Sequence, residues 1–195
     1  MLATAALTFS KQLLANVLGP GDVAVDATAG NGHDALFLAG LVAPGGIVHC
    51  FDIQAEALAR TGALVAGAGR ADMVRLHAAG HEALARVLPE ADRGRVRAVV
   101  FNLGFLPGGD ASVVTRPDTT LAALDAARAV LGPGGVVAVV CYTGHPGGAA
   151  EARAVAGWCA ALPFDRWRVA RYELVNKPGD PIVLFFLERC PDKRG

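Results

Sequence analysis

The chain has few aromatic residues, few cysteines and no excess of charge of either sign. Aromatic residues make up 6% of its 195 positions, and 18 basic residues balance 18 acidic ones. A neutral chain cannot attract nucleic acid through its overall field, so an RNA partner would need a local basic patch. The four cysteines form no C-x-x-C pair, which argues against a cysteine metal site and favours a reduced, cytoplasmic protein.

Long uninterrupted apolar runs are also absent, although 53% of the residues are hydrophobic. The longest charge-free stretch, residues 129–150, is broken by glycine and proline at residues 132–135 and again at 144–148. A membrane-spanning helix needs about 20 consecutive apolar residues, so we expect no membrane partner. The leucines of residues 7–18 predict an amphipathic helix and not a signal peptide. The length suits a single domain over residues 1–195.

Strand-like and helix-like segments alternate along the chain, which is typical of an α/β fold with helices on both faces of a parallel sheet. The predicted strands are residues 23–26, 46–51, 73–77, 96–102 and 136–141, and the predicted helices are 33–41, 55–68, 82–88, 119–131 and 148–161. Two further strand-like runs, 167–175 and 181–188, flank a turn-rich segment and predict an antiparallel C-terminal hairpin. This Rossmann-like plan of seven strands resembles the class I methyltransferase fold.

The stretch VAVDATAGNGHDALFLA, residues 23–39, runs from a buried strand through the turn Gly30-Asn31-Gly32 into a helix. Small residues in such a turn let a ligand approach the backbone. The next strand is followed by Asp52, whose carboxylate can accept hydrogen bonds from both hydroxyls of a ribose. The glycine pattern alone is weak, but this context predicts a nucleotide-shaped pocket.

Two classes of cofactor could use this pocket. A dinucleotide such as NAD would place its pyrophosphate on the helix amides, unfavourably close to the carboxylate of Asp26. S-adenosylmethionine (SAM) carries a cationic sulfonium and an amino group, for which that carboxylate is favourable, so we expect SAM. A purely structural turn is the remaining alternative. The predicted cofactor-binding residues are Asp26, Thr28, Gly30, Asn31, Gly32, Asp52, Gln54, His81 and Asn102.

Two later loops should face the same pocket, because ligands of open α/β sheets lie at the carboxyl ends of the strands. The loop FNLGFLPGGD, residues 101–110, keeps an asparagine where many amino-directed methyltransferases carry Asn/Asp-Pro-Pro-Tyr. Its apolar residues would lower the pKa of a buried amine, and Asp110 could then orient that amine or accept its proton. A turn-forming role for Asp110 is the alternative.

The second loop, CYTGHPGG at residues 141–148, offers His145 as a base or base contact and Tyr142 as a stacking surface. Structural roles are equally open for both. The predicted catalytic residues are Asp110, Tyr142 and His145, with no metal. The predicted substrate-binding residues are Leu103, Phe105, Arg116, Glu151 and Asn176, of which Arg116 is a candidate phosphate contact.

Taken together, the segments DATAGNGHDALFLA, FDIQ, FNLGFLPGGD, TTLAALDAA, CYTGHPGG and PIVLFFLER resemble the tRNA 5-aminomethyl-(2-thio)uridine methyltransferase family (MnmM), formerly described as putative rRNA methylases. The resemblance spans almost the whole chain, and Phe105 stands where many relatives have tyrosine. It implies methylation of the exocyclic amine of 5-aminomethyluridine at the tRNA wobble position, with the anticodon arm as partner.

Other functions are compatible with the same residues. They include methylation of another RNA nucleoside or a small-molecule amine, an NAD-dependent oxidoreductase, and a SAM- or RNA-binding module without catalysis. Trp158, Phe164 and Trp167 permit a homodimer, but they suit core packing equally well.

Overall fold

The computed structural model of the chain describes residues 5–110 and 112–191, so the ends of the predicted 1–195 domain lie outside the described residues. The strands are β1 (Val23–Asp26), β2 (Ile47–Asp52), β3 (Val74–Ala78), β4 (Val96–Leu103), β5 (Leu131–Tyr142), β6 (Trp167–Tyr172) and β7 (Ile182–Arg189). The α-helices are α1 (Ala6–Ala15), α2 (His33–Val42), α3 (Ala55–Gly67), α4 (Leu84–Val87), α5 (Pro117–Val130) and α6 (Gly148–Ala160).

The strands form one seven-stranded sheet in the order β3-β2-β1-β4-β5-β7-β6. Strands β1 to β5 pair in parallel, whereas β7 runs antiparallel to β5 and to β6, between which it lies. The predicted mostly parallel sheet with an antiparallel C-terminal hairpin is therefore confirmed. From β1 the chain continues to β2 and β3 on one side of the sheet, and it then crosses to β4 and β5 on the other side. The connections that follow β1 and β4 therefore lead in opposite directions and leave a crevice between the carboxyl ends of these two strands.

Helices cover both faces of the sheet, as the alternation predicts. One core cluster packs α4, α5 and α6 against the sheet through residues such as Leu84, Leu124 and Val155. The other packs α1, α2 and α3 on the opposite face through Leu14, Leu38 and Val65. These side chains are almost fully buried, and the inner strands β1, β2, β4 and β5 between the two layers are buried along most of their length.

Several predicted boundaries are wrong. Strand β5 begins at Leu131 and includes the glycine-rich residues 132–135, because Leu131 already pairs with Val96 before the register shifts. A Cβ atom at Gly132 would lie 2.7 Å from the carbonyl oxygen of Gly94, so the glycines serve close strand pairing. The predicted helix 82–88 is a 3₁₀ turn followed by the short helix α4, and α5 begins at Pro117 instead of residue 119.

Candidate cofactor and acceptor site

A cavity of about 810 Å³ opens at the carboxyl ends of β1, β2, β4 and β5, where the topology places it. This volume is in the range that binds drug-sized or nucleoside-sized ligands. Eleven predicted site residues line it: Thr28, Gly30, Asn31, Asp52, Gln54, His81, Asn102, Phe105, Arg116, Tyr142 and His145. The glycine-turn residues and the two later loops are thus brought together around one space.

The carboxylate of Asp52 organises the glycine turn from the end of β2. Its Oδ2 accepts a hydrogen bond from the amide of Gly30 at 3.0 Å, and its Oδ1 accepts one from the amide of Gln54 at 2.9 Å. Each carboxylate oxygen can accept a further hydrogen bond, so Asp52 can still bind hydroxyl groups in the cavity. Two backbone bonds hold the side chain in place before any ligand arrives.

Gly32 has a structural reason to be glycine. Its φ of 83° lies in the left-handed region, and a Cβ atom there would come within 2.8 Å of the Cα atom of Thr61 on α3. Gly32 does not line the cavity, so close packing of α2 on α3 is what the structure requires at this position.

Asp26 is fully buried at the end of β1 and is not part of the cavity lining. Its Oδ1 accepts a hydrogen bond from the amide of Thr28 at 3.2 Å, while Oδ2 has no partner among the described residues. Burial, and after it the nearby carboxylate of Asp34, raises the pKa of Asp26 from 3.8 to about 7. The negative charge of Asp26 is therefore only half developed near neutral pH.

Asn102 belongs to a series of polar contacts in the cavity wall that connects β4 with α2 and α1. Its Nδ2 donates to Oδ2 of Asp34 at 2.7 Å, and the other oxygen of Asp34 lies 2.7 Å from the ammonium of Lys11. The backbone amide of Asn102 donates to the hydroxyl of Thr28 at 2.8 Å. The carbonyl oxygen of the Asn102 side chain is buried and has no partner among the described residues.

Arg60 on α3 ties the loop after β4 to the glycine turn. Its guanidinium donates to Oδ1 of Asn31 at 3.0 Å and to the carbonyl oxygens of Pro107 and Gly108 at 3.4 Å each. The side-chain amide of Asn31 donates to the same Pro107 carbonyl at 3.2 Å. These bonds hold residues 106–108 over one end of the cavity.

Tyr142, His145 and Phe105 form the wall on the side of β5. The rings of Phe105 and His145 meet edge to face with centroids 6.1 Å apart. Nδ1 of His145 lies 3.1 Å from the carbonyl oxygen of Pro146, whereas the buried Nε2 has no partner among the described residues. Behind this wall is a smaller cavity of about 270 Å³, which also contacts Lys177 and Asp180. Burial raises the pKa of Tyr142, so its hydroxyl stays neutral.

Four other predicted site residues also lie away from the cavity lining. Leu103 is fully buried in the core. Asp110 is exposed and accepts a hydrogen bond from the amide of Ser112 at 2.8 Å, and the hydrogen bonds of Ser112 lower the pKa of Asp110. Glu151 is buried and accepts hydrogen bonds from Thr115 and Thr120 at 2.8 and 2.6 Å. Asn176 is exposed in the connection between β6 and β7.

Leu7 and Lys11 of α1 and Asp34 of α2 also line the cavity. From the sequence, Lys11 is a candidate phosphate contact at the rim, whereas Leu7 and Asp34 are not predicted to belong to the site. The amphipathic pattern of residues 7–18 predicts a buried face for α1 but not which part of the sheet that face covers. Asp34 lies in the first turn of α2, where a negative charge is favourable whether or not it faces a ligand. No local signal in the sequence links Lys11 or Asp34 to Asn102.

Residues 5–110 and 112–191 contain no group of three or more His, Cys, Asp and Glu side chains arranged to hold a metal ion. Nor does any helix in this part of the chain have both the length and the apolar character needed to cross a membrane.

Known proteins resemble the chain in sequence and structure. It is 39% identical over 181 residues to the chloroplastic tRNA (mnm(5)s(2)U34)-methyltransferase of Arabidopsis thaliana, a match that covers 89% of this chain but only 65% of that protein. A putative rRNA methylase from Clostridium thermocellum superimposes with a TM-score of 0.92 at 35% identity, covering 97% of this chain and all of the other. A putative methyltransferase from Streptococcus mutans, in complex with SAH, superimposes with a TM-score of 0.87 at 32% identity, covering 96% and 99%.

The family described as putative rRNA methylase matches residues 48–188 of the chain. This range runs from β2 to β7 and includes both loops that close the cavity. The chain therefore belongs to the putative rRNA methylase family, the group that its motifs resemble.

Proposed function

We propose that the protein is a SAM-dependent N-methyltransferase that methylates the exocyclic amine of 5-aminomethyl-(2-thio)uridine at the wobble position of tRNA. The observation that carries the proposal is the single cavity shared by the glycine turn, Asp52 and the loops that contain Asn102 and His145. The relative from A. thaliana is named for mnm(5)s(2)U34 of tRNA, and the neighbour from S. mutans holds SAH. The first name supports the acceptor proposed here, and the SAH bound to the second protein supports SAM as the donor.

The residues of the cavity fit SAM. Asp52 retains acceptor capacity for ribose hydroxyls, and Gln54 and His81 stand beside it in the lining. Burial lowers the pKa of His81, which keeps its imidazole neutral and suited to an uncharged base edge. Bound SAM supplies an electrophilic methyl group, so the protein contributes position and desolvation.

Methyl transfer requires a neutral amine. The nitrogen lone pair forms the new bond to the methyl carbon while the carbon–sulfur bond breaks and its electrons stay on sulfur. The apolar lining formed by Phe105, Leu106 and Val113 would disfavour the protonated amine, because burial in apolar surroundings lowers the pKa of an ammonium group. The site thereby increases the fraction of amine that can react.

His145 is the better-placed proton acceptor of the predicted catalytic residues. His145 lines the cavity and its Nε2 has no partner among the described residues, whereas Asp110 lies outside the lining, is exposed and is engaged by Ser112. We assign Tyr142 and Phe105 to the surface against which the uracil ring packs. Glu151 acts through Thr115 and Thr120, which fix the loop that carries Arg116.

The anticodon arm is the proposed partner, with Arg116 as a phosphate contact. Arg116 is exposed, lines the cavity mouth and pairs with Asp118 at 3.2 Å, so it can exchange that surface partner for a phosphate. Lys177 lines the smaller cavity and offers a second cation on the same side. Cytoplasmic location and a homodimer are part of the proposal only as predictions from composition.

A transfer assay tests the proposal. Purified protein and labelled SAM are combined with tRNA that carries 5-aminomethyluridine, with the same tRNA lacking the aminomethyl group, and with ribosomal RNA. We expect transfer only to the first. Transfer to ribosomal RNA or to a small amine, with none to the modified tRNA, would overturn the acceptor assignment. Tight binding of NAD without binding of SAM in calorimetry would overturn the donor assignment as well.

Three variants test the site assignment through turnover and SAM binding. His145→Ala should lower kcat more than Asp110→Ala does, because only His145 borders the reacting groups. Asp52→Ala should weaken SAM binding about 10- to 100-fold, since it removes a charged acceptor of the ribose hydroxyls. Equal losses in the His145 and Asp110 variants would contradict the choice of proton acceptor.

A further inference from the structure

We infer that Asp34, whose other carboxylate oxygen pairs with Lys11, is a positioning residue that fixes the orientation of the Asn102 side-chain amide. The inference rests on the proposed amine methylation and deepens it. Its basis is the series of contacts from Lys11 through Asp34 to Asn102, with 2.7 Å at both steps.

The carboxylate of Asp34 determines which end of the Asn102 amide faces it. A side-chain amide has one donor end and one acceptor end, whereas an ionised carboxylate only accepts hydrogen bonds. The NH₂ group of Asn102 therefore points to Asp34, and the carbonyl oxygen is left as the free end. That oxygen is buried without a partner among the described residues, an unfavourable arrangement that a hydrogen-bond donor on the substrate would relieve.

This orientation matters for an amine acceptor. A carbonyl oxygen accepts a hydrogen bond from the N–H group of the amine and leaves its lone pair free to attack the methyl carbon. A flipped amide would instead present its NH₂ group, which donates to that lone pair and blocks the reaction. The Asp34 carboxylate thus selects the productive one of two amide orientations.

Lys11 makes the arrangement testable through competition. In Asp34→Asn, residue 34 has only one acceptor oxygen for two donors, Lys11 and Asn102. The charged ammonium, which forms an ion pair with Asp34 in the wild type, attracts an oxygen more strongly than a neutral amide does, so it should take the oxygen and leave an NH₂ group facing Asn102. Asn102 would then flip. Removing the competitor with Lys11→Met should return the oxygen of residue 34 to Asn102 and restore the orientation.

The experiment compares four proteins: the wild type, Asp34→Asn, Lys11→Met and the double variant. Each is assayed at saturating SAM on tRNA bearing 5-aminomethyluridine. We expect Asp34→Asn to lower kcat about 10- to 100-fold relative to the wild type, corresponding to one charge-assisted hydrogen bond. In the Lys11→Met background the same substitution should lower kcat less than about threefold.

A second explanation of such a rescue is that the unpaired ammonium of Lys11 repels the cationic donor. That explanation predicts a higher KM for SAM in Asp34→Asn and an unchanged kcat at saturation. A loss confined to KM would therefore overturn the inference. So would an equal loss of kcat in both backgrounds, which is what a merely structural role of Asp34 predicts.

A readout that needs no turnover separates this inference from the proposed function. The NH₂ signals of Asn102 in a proton–nitrogen NMR spectrum are assigned by their loss in Asn102→Asp. They should move in Asp34→Asn and return towards their wild-type positions in the double variant. If these shifts occur but no tRNA is methylated, the amide orientation stands and the proposed function fails. If tRNA is methylated but the signals stay unchanged, the inference fails alone.

Discussion

Replacing Asp26 with asparagine should make the protein more stable at neutral and alkaline pH. The wild-type carboxyl is fully buried, and burial together with Asp34 raises its pKa from 3.8 to about 7. The folded state therefore holds a proton that the unfolded state has already released. Stability from this group is fully present below pH 3.8 and is lost as the pH rises to about 7.

The size of the effect follows from the two pKa values. A shift from 3.8 to about 7 corresponds to about 4 kcal/mol, of which about 2.5 kcal/mol is lost between pH 5 and pH 8. The asparagine side chain in the Asp26→Asn variant retains an oxygen that can accept the hydrogen bond of the Thr28 amide, so that contact survives the substitution. Asp26→Asn therefore removes the negative charge at this position while it keeps the size and shape of the side chain.

Denaturant unfolding of both proteins at pH 5 and pH 8 measures the prediction. The free energy of unfolding of Asp26→Asn minus that of the wild type should rise by about 2.5 kcal/mol between the two pH values. If the free energy of unfolding depends on pH equally in the two proteins, the raised pKa of Asp26 is refuted.

Three other predictions concern the contacts that shape the cavity. Arg60→Ala should raise the dissociation rate of SAM several-fold in stopped-flow measurements, because residues 106–108 lose their hydrogen bonds to Arg60. An unchanged rate would show that these hydrogen bonds do not help to retain SAM. Gly32→Ala should lower the free energy of unfolding by at least about 2 kcal/mol, whereas the control Gly40→Ala, with open space at its Cβ position, should raise it by about 0.5 kcal/mol. Glu151→Ala should cost about 1–3 kcal/mol in thermal unfolding, since two threonine hydroxyls lose their acceptor, and Glu151→Gln should cost less.

Much of the fold was predictable because its signals are local. Alternating apolar segments predicted all seven strands, and the turn-rich connection after β6 predicted the antiparallel hairpin. The start of β5 was not predictable, because the glycines and proline at residues 132–135 indicate the end of a helix and a loop. Their inclusion in the strand depends on the close approach of Gly132 to Gly94, which no neighbouring residue encodes.

The candidate site was predictable where its residues follow strands. Asp52, Asn102 and His145 lie at the end of β2, at the end of β4 and after β5, and parallel topology brings these positions to one edge. Lys11 and Asp34 lie on helices, where a charged residue usually reads as solvated surface. Their place in the cavity depends on how α1 and α2 pack on the sheet, which is a tertiary property.

Helix α1 gives the molecule an order of assembly. It packs on β5 and β7, and the ring of Phe9 lies 4.3 Å from that of Tyr172 at the end of β6. Helix α1 precedes β5, β6 and β7 in the chain, so it is synthesised before the strands on which it docks. Lys11 is therefore held beside Asp34 by a part of the sheet that comes much later in the sequence. A substitution that disrupts the hairpin of β6 and β7 should consequently disturb the wall beside Asn102 through α1, although the hairpin itself is distant from Asn102 in sequence.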